Sequence, residues 1–133
     1  MNTERLTLLY GLIDGLHESN INMIAWRTNG TNAVITDDEL IEAAKSHDCG
    51  TTACALGWAA AYPPFKTMGL SYRDLEFYVG EQHFSGDGYE AAAVFFDICH
   101  GTALDLFGPV DSRERSEKHV FLDRLRYLLE GVS

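Results

Sequence analysis

The stretch Asp48-Cys-Gly-Thr-Thr-Ala-Cys-Ala-Leu-Gly-Trp-Ala-Ala-Ala-Tyr62 decides the fold, because it is a run of mostly small and apolar side chains that stops at two prolines. A residue before proline is disfavoured in the helical conformation, so we predict a helix from about Thr51 to just before Pro63. Its smallest side chains form a stripe: Ala53, Gly57 and Ala60. Glycine inside a helix costs roughly 1 kcal/mol relative to alanine, so Gly57 indicates that a neighbouring helix approaches closely. The stretch therefore predicts a tightly packed central helix.

The spacing of apolar residues predicts further helices on both sides of this stretch. Leu6, Leu9 and Ile13 recur at intervals of three and four. A capping box at residues 36–39 opens another helix, and Asp87 is placed to cap a third. The expected helices cover residues 3–16, 36–47, 88–96, 102–107 and 116–130.

A small β element is expected between these helices. Residues 75–79 and 82–84 are joined across Gly80 and predict a short hairpin, although residues 71–74 are equally compatible with a helix cap. We therefore predict a mainly α fold, or α+β with at most a small β-hairpin. Residues 1–133 are expected to form one compact, bundle-like globular domain.

The composition is typical of a globular protein without a membrane segment. Of the 133 residues, 46% are hydrophobic and 11% aromatic, and the apolar runs are far shorter than the roughly 20 residues that span a bilayer. Residues 1–16 contain Glu4, Arg5 and Asp14 and lack a small-residue cleavage site, so no secretory signal is expected. Three cysteines do not make a disulfide framework. We expect a reduced, cytoplasmic protein that does not associate with membranes.

The net charge of −10 is unevenly distributed along the chain. Residues 74–111 contain eight carboxylates and neither lysine nor arginine. These candidate binding residues are Asp74, Glu76, Glu81, Asp87, Glu90, Asp97, Asp105 and Asp111. Such a concentration of negative charge repels nucleic acid and favours a basic partner. A well-solvated acidic surface is the alternative interpretation.

Cys49 is the candidate nucleophile. It precedes the N-terminus of a predicted helix, where the dipole and the free amide groups lower the pKa of a thiol. The Cys-Gly-Thr sequence is loosely similar to the helix start of papain-like peptidases, but Cys54 and Trp58 follow later than that family's second cysteine and tryptophan do. The histidines considered as a base are His83, His100 and His119, and no spacing assigns one of them to Cys49.

A zinc site is the second chemical alternative in this region. The candidate ligands are His47, Cys49, Cys54, Cys99 and His100. Because they show neither C-x2-C nor H-x3-H spacing, no metal or cofactor is predicted, and Cys54 and Cys99 are interpreted as buried small hydrophobic residues. Phosphate-loop, G-x-S-x-G and H-E-x-x-H motifs are also absent, so a non-enzymatic protein is favoured.

Four segments of the chain resemble a group of small uncharacterised proteins found in bacteriophages, prophages and their hosts. The segments are residues 22–26 (NMIAW), 49–58 (CGTTACALGW), 88–98 (GYEAAAVFFDI) and 103–107 (ALDLF). The resemblance extends from about residue 6 to residue 130, and its central motif is C-G-T-x-x-C-x-x-G. It implies a phage-type accessory protein without an established activity or assigned functional residues.

Charge and resemblance together predict a small acidic accessory protein that acts by binding. We expect a basic protein partner, and in the most specific form a host nucleic-acid-binding or defence protein that is inhibited by nucleic-acid mimicry. No direct contact with nucleic acid is expected, and the compartment is the host cytoplasm. A thiol- or zinc-dependent site at Cys49 is the alternative.

Overall fold

Helices make up most of the chain that the structure describes. This computed structural model describes residues 1–21, 27–28, 35–46, 52–73, 76–84, 88–108 and 116–131. These ranges contain seven α-helices: α1 (Thr3–Asp14), α2 (Asp37–Ser46), α3 (Ala55–Ala61), α4 (Pro63–Thr67), α5 (Gly88–Phe96), α6 (His100–Phe107) and α7 (Glu117–Gly131). A short 3-10 turn, Glu18–Asn20, follows α1. The prediction of a mainly α fold is confirmed.

Short antiparallel strands supply the β structure of the described ranges. They are β1 (Arg27–Thr28), β2 (Thr52–Ala53), β3 (Leu70–Arg73), β4 (Glu76–Val79) and β5 (Gln82–Phe84). β1 pairs with β2, while β3, β4 and β5 form a sheet in that order. Tyr72, Phe77 and Phe84 lie opposite one another across this sheet and are buried. The predicted hairpin is confirmed, and residues 71–73 belong to a third strand rather than to a helix cap.

Residues 53–61 of the central stretch are buried as predicted, but the helix begins later than predicted, and residues 48–51 lie outside the described residues. Thr52 and Ala53 pair with β1, and α3 begins after Cys54, whose Sγ accepts the Gly57 amide at 3.4 Å as a cap. Every residue of α3 is buried. Pro63 then begins α4, which the sequence did not predict, because proline at the first helical position lacks only an amide that has no helical partner there.

Phenylalanine rings connect four helices through the core. Phe65 of α4 contacts Phe95 and Phe96 of α5, with ring centroids 5.3 and 5.7 Å apart. Phe96 contacts Phe107 of α6, and Phe107 contacts Phe121 of α7, each at 5.7 Å. All five side chains are buried. Aromatic pairs of this kind contribute roughly 0.5–1.5 kcal/mol each beyond area burial, so they stabilise the packing of α4 on α5, of α5 on α6 and of α6 on α7.

The N-terminal segment is tied to the C-terminal end of α5. Asn2 caps α1 through its Oδ1, which accepts the Arg5 amide at 3.0 Å. The Asn2 amide donates to the Phe96 carbonyl at 2.8 Å, and the Arg5 guanidinium donates to the Phe95 carbonyl at 2.8 Å. A helix leaves its last carbonyls without helical partners, so these donors stabilise the end of α5.

Most predicted helix limits agree with the structure to within a few residues. Leu6, Leu9 and Ile13 of α1 are buried on one face, as their spacing predicted. The Thr36 Oγ1 accepts the Glu39 amide at 3.2 Å, so one half of the predicted capping box is confirmed. The predicted cap at Asp87 lies outside the described residues.

Candidate interaction surface

The acidic segment, residues 74–111, folds largely into the β4–β5 hairpin, α5 and α6. The hairpin packs against α5, and α5 packs against α6, so these three elements are neighbours. Five of the eight candidate binding residues lie in the described ranges: Glu76, Glu81, Glu90, Asp97 and Asp105. The other three, Asp74, Asp87 and Asp111, lie outside them.

Two neighbouring helices present carboxylates beside exposed apolar side chains. On α5, Glu90 and Val94 are one helical turn apart, and both are exposed. Asp97 follows at the end of α5, and α6 exposes Leu104 and Asp105. Val94 is 46% exposed and Leu104 43%, so each presents apolar surface to solvent near a carboxylate of its own helix. We call Glu90, Val94, Asp97, Leu104 and Asp105 the acidic face.

Two carboxylates of the acidic face, Asp97 and Asp105, are only weakly compensated by described cations. Asp97 lies 3.1 Å from the N-terminal ammonium group, but its carboxylate is largely exposed, so this ion pair contributes little. Asp105 has no ion-pair partner among the residues that the structure describes. Residues 88–108 contain no lysine or arginine. The negative potential of Asp97 and Asp105 is therefore available to a cationic partner.

The hairpin carboxylates belong to a different element from the acidic face. Glu76 is hydrogen-bonded to His83 at the partly exposed surface of the sheet. The His83 ring stacks on Tyr78 with centroids 4.9 Å apart, and the Arg73 guanidinium lies 4.2 Å from the Tyr78 centroid. Glu81 is exposed in the turn between β4 and β5. The structure thus groups three predicted binding residues on α5 and α6 and leaves two on the hairpin.

An open groove of about 520 Å³ lies between α6 and α7. Its lining includes Asp105, Leu106, Asp123, Arg124, Tyr127 and Leu128. Tyr127 is 80% exposed, which is the largest exposure among the large hydrophobic residues that the structure describes. The sequence prediction missed this groove. The sequence did contain a sign of an exposed aromatic residue here, because Tyr127 falls outside the helical face defined by Phe121, Leu125 and Leu128.

Cys54 is buried, as the sequence predicted. Its side chain is fully enclosed at the start of α3, and burial raises its pKa to about 12 despite the hydrogen bond from the Gly57 amide. A thiol of this kind stays protonated at neutral pH. Cys54 is therefore not placed to act as a nucleophile in this fold.

Cys99 is exposed, so its prediction as a buried hydrophobic residue was wrong. The reason is that α6 begins at His100, which makes Cys99 its N-terminal cap. The Thr102 hydroxyl lies 3.0 Å from the Cys99 Sγ, and the Thr102 amide donates to it at 3.4 Å. These hydrogen bonds lower the pKa of Cys99 below its ordinary value.

The candidate zinc ligands are not gathered into a site within the described part of the chain. Cys54 lies in the core, whereas Cys99 and His100 are exposed at the start of α6. Across the ranges that the structure describes, no group of three or more His, Cys, Asp or Glu residues is arranged to hold a metal ion. Cys49 and His47 lie outside those ranges.

Comparisons with known proteins leave the family open. No helix in the described ranges combines the length and the apolar character needed to cross a membrane. No family model matches this chain, and no match is found among curated proteins or solved structures. The resemblance to small phage proteins therefore stays a prediction.

Proposed function

We propose that this protein is a small acidic accessory protein of the phage type, which binds a basic surface of another protein through the acidic face. The observation that carries this proposal is the pairing of carboxylates with exposed apolar side chains on two adjoining helices. Glu90 stands one turn from Val94 on α5, and Leu104 precedes Asp105 on α6. Carboxylates alone would be explained by solubility, whereas exposed aliphatic side chains among them favour a contact surface.

The two kinds of side chain have different roles in such a complex. The carboxylates steer a cationic partner during encounter and disfavour partners that are themselves acidic. Val94 and Leu104 supply apolar area that is removed from water when the partner docks. Affinity should therefore fall with added salt without vanishing, because screening weakens only the charged part of the contact.

In its most specific form, the proposed function is inhibition of a nucleic-acid-binding or defence protein in the host cytoplasm. A protein that binds nucleic acid uses lysine and arginine side chains to neutralise phosphates. Exposed carboxylates on the acidic face would compete for the same cations. Displacement of the bound partner by DNA or RNA is the result that distinguishes this form from binding to any basic protein.

Capture from a bacterial lysate tests the proposed function with matched variants. The face variant carries Glu90→Lys and Val94→Lys on α5, and the control carries Glu4→Lys and Thr7→Lys at exposed positions of α1. Both double variants change the net charge by the same amount. We expect the wild type and the control to capture basic proteins at low salt and to retain less of them at moderate salt, while the face variant captures little at either. Equal capture by all three proteins would contradict the proposal.

A further inference from the structure

We propose that the groove between α6 and α7 is the docking site for an amphipathic helix of the basic partner, with lysine or arginine flanking an apolar stripe. This inference rests on the proposed function and deepens it, because it names the form in which the basic surface is recognised. The groove adjoins the acidic face through Asp105, which belongs to both.

The apolar part of the groove fits the apolar stripe of a helix. Leu106 and Leu128 line it from the two sides, and Tyr127 stands almost fully exposed on α7. Tyrosine offers a large contact area at low cost in side-chain entropy, and it is enriched in protein interfaces. A groove between two packed helices accepts the ridge of a third, which presents anchors at positions i, i+3 or i+4, and i+7.

The charges around the groove select a basic helix. Asp105 of α6 and Asp123 of α7 line opposite sides of the groove. Asp123 lies 3.9 Å from Arg126, but this ion pair is largely exposed and contributes little, and the Arg126 guanidinium also donates to the Tyr10 hydroxyl on α1. Cations that flank an apolar stripe would therefore meet a carboxylate on each side of the groove. Arg124 also lines the groove, but its guanidinium donates to the Gly108 carbonyl at 3.0 Å. This hydrogen bond holds the Arg124 guanidinium at the end of α6.

The dimensions set the length of the partner segment. The eight residues of α6 extend for about 12 Å, which corresponds to slightly more than two turns of a partner helix. Two or three apolar anchors therefore suffice to fill the groove. A second copy of this chain is a poorer occupant, because it carries the same net charge of −10 and would bring carboxylates towards Asp105 and Asp123.

A titration of the isotope-labelled protein, followed by NMR, tests this proposal directly. The probe is a synthetic helical peptide of about 14 residues with leucine at the i, i+3, i+4 and i+7 positions and lysine beside them. The control peptide has glutamate in place of lysine. We expect saturable shifts of amide signals in α6 and α7 with the lysine peptide and none with the glutamate peptide.

Two groove variants and one matched control locate the binding site. Asp123→Lys and Tyr127→Ala should each weaken binding of the lysine peptide by about tenfold. Glu4→Lys, which makes the same charge change on α1, should leave binding within about twofold of the wild type.

The remaining outcomes distinguish a failure of the groove proposal from a failure of the proposed function. If the shifts map to α5 and Asp123→Lys has no effect, the groove is not the site, although binding to the acidic face stands. Equal binding of both peptides, or the absence of saturable shifts, would overturn the proposal that the groove binds a basic helix. The proposed function would then be tested by the lysate capture alone. Shifts in α6 and α7 that depend on protein concentration without peptide would assign the groove to a second copy and overturn the proposal.

Discussion

The guanidinium of Arg27 donates two hydrogen bonds to the main-chain carbonyl of Gly57, from Nε at 3.3 Å and from Nη2 at 3.1 Å. Its Nη1 donates to the Ile35 carbonyl at 3.2 Å, and its Nη2 forms an ion pair with the Asp37 Oδ1 at 2.7 Å. The Arg27 side chain is only 2% exposed, and it lies 4.7 Å from the centroid of the Tyr72 ring. One buried cation thus links β1, α2, α3 and β3. The close crossing of a helix at Gly57 stays a prediction, and the contact shown at the Gly57 carbonyl is with the Arg27 side chain.

Replacing Arg27 should be among the most damaging single changes in this fold. Arg27→Met would leave the Gly57 and Ile35 carbonyls without their donor and Asp37 without its buried partner, so we expect a loss of about 3–5 kcal/mol in the free energy of unfolding. Chemical denaturation measures this loss. Lys66→Met is the matched control, because Lys66 pairs with the same carboxylate at 2.6 Å from an exposed position and should cost at most about 1 kcal/mol. Equal losses would contradict a special role for Arg27.

Trp58 should be a second major contributor to stability. It is buried in α3, and its indole Nε1 donates to the Asn20 carbonyl at 2.9 Å. Trp58→Ala removes a large buried surface and this hydrogen bond, so we expect a loss of roughly 3–5 kcal/mol. Tyr127→Ala removes an aromatic ring that is largely exposed to solvent, so it should change the free energy of unfolding by less than about 0.5 kcal/mol. Thermal melting of the two variants would reveal the difference, and similar melting temperatures would refute it.

Asp97 terminates α5 in a conformation that glycine adopts more easily. Its φ of +54° is left-handed, and the Ile98 amide bonds to the Ala93 carbonyl at 3.0 Å, as in a Schellman motif. Asp97→Gly relieves the backbone strain and loses only an exposed ion pair, so we expect a gain of roughly 0.5–1 kcal/mol. Asp97→Ala loses the same ion pair and keeps the strain, so it should melt below the wild type. A glycine variant no more stable than the alanine variant would exclude this explanation.

Two glycines of the α6 region should respond in opposite directions to alanine. A Cβ at Gly101 would meet no atom within 4 Å, so Gly101→Ala should stabilise the helix by about 0.5–1 kcal/mol. A Cβ at Gly108 would lie 2.4 Å from the Leu104 carbonyl oxygen, so Gly108→Ala should destabilise by about 1–3 kcal/mol. Denaturation curves of the two variants test both signs. A stabilising Gly108→Ala would show that the end of α6 can shift at little cost.

The described cysteines should differ sharply in their reaction with iodoacetamide. Cys99 is exposed and its pKa is lowered by the Thr102 hydrogen bonds, so alkylation of the native protein should begin below the ordinary thiol pKa of about 8.5. Cys54 should react only after unfolding, because burial raises its pKa to about 12. Fragment-ion mass spectrometry distinguishes these sites and also reports on Cys49. If Cys49 reacts as a thiolate far below pH 8.5, the thiol alternative gains support over a purely binding function.

The raised pKa of Cys54 also gives stability a defined dependence on pH. The folded protein holds this proton up to about pH 12, whereas the unfolded chain releases it near pH 8.5. The stabilisation is therefore fully present below pH 8.5 and is lost as the pH rises towards 12. Cys54→Ala should show a weaker decline of stability over this alkaline range than the wild type, and an unchanged decline would assign it to other groups.

The sequence predicted a helix or strand correctly where the interactions that form it lie within a few residues of one another. The apolar spacing in α1 and α5 predicted these helices closely, because burial of one face and the flanking caps act within a few residues. The hairpin was predictable for the same reason, since Gly80 marks the turn between two short apolar runs. The start of α3 was not predictable, because Thr52 and Ala53 are drawn into pairing with a strand some 25 residues earlier in the chain.

For the candidate surface, the sequence by itself determined the sign of the charge and the absence of cations from residues 74–111. Only the tertiary structure decided which carboxylates share adjoining helices, that Glu76 is paired with His83, and that Tyr127 borders a groove. It also decided that Cys54 is enclosed while Cys99 is exposed, and that Arg27 is buried. The physical reason is that composition and spacing act along the chain, whereas exposure and ion pairing depend on which distant elements pack against one another.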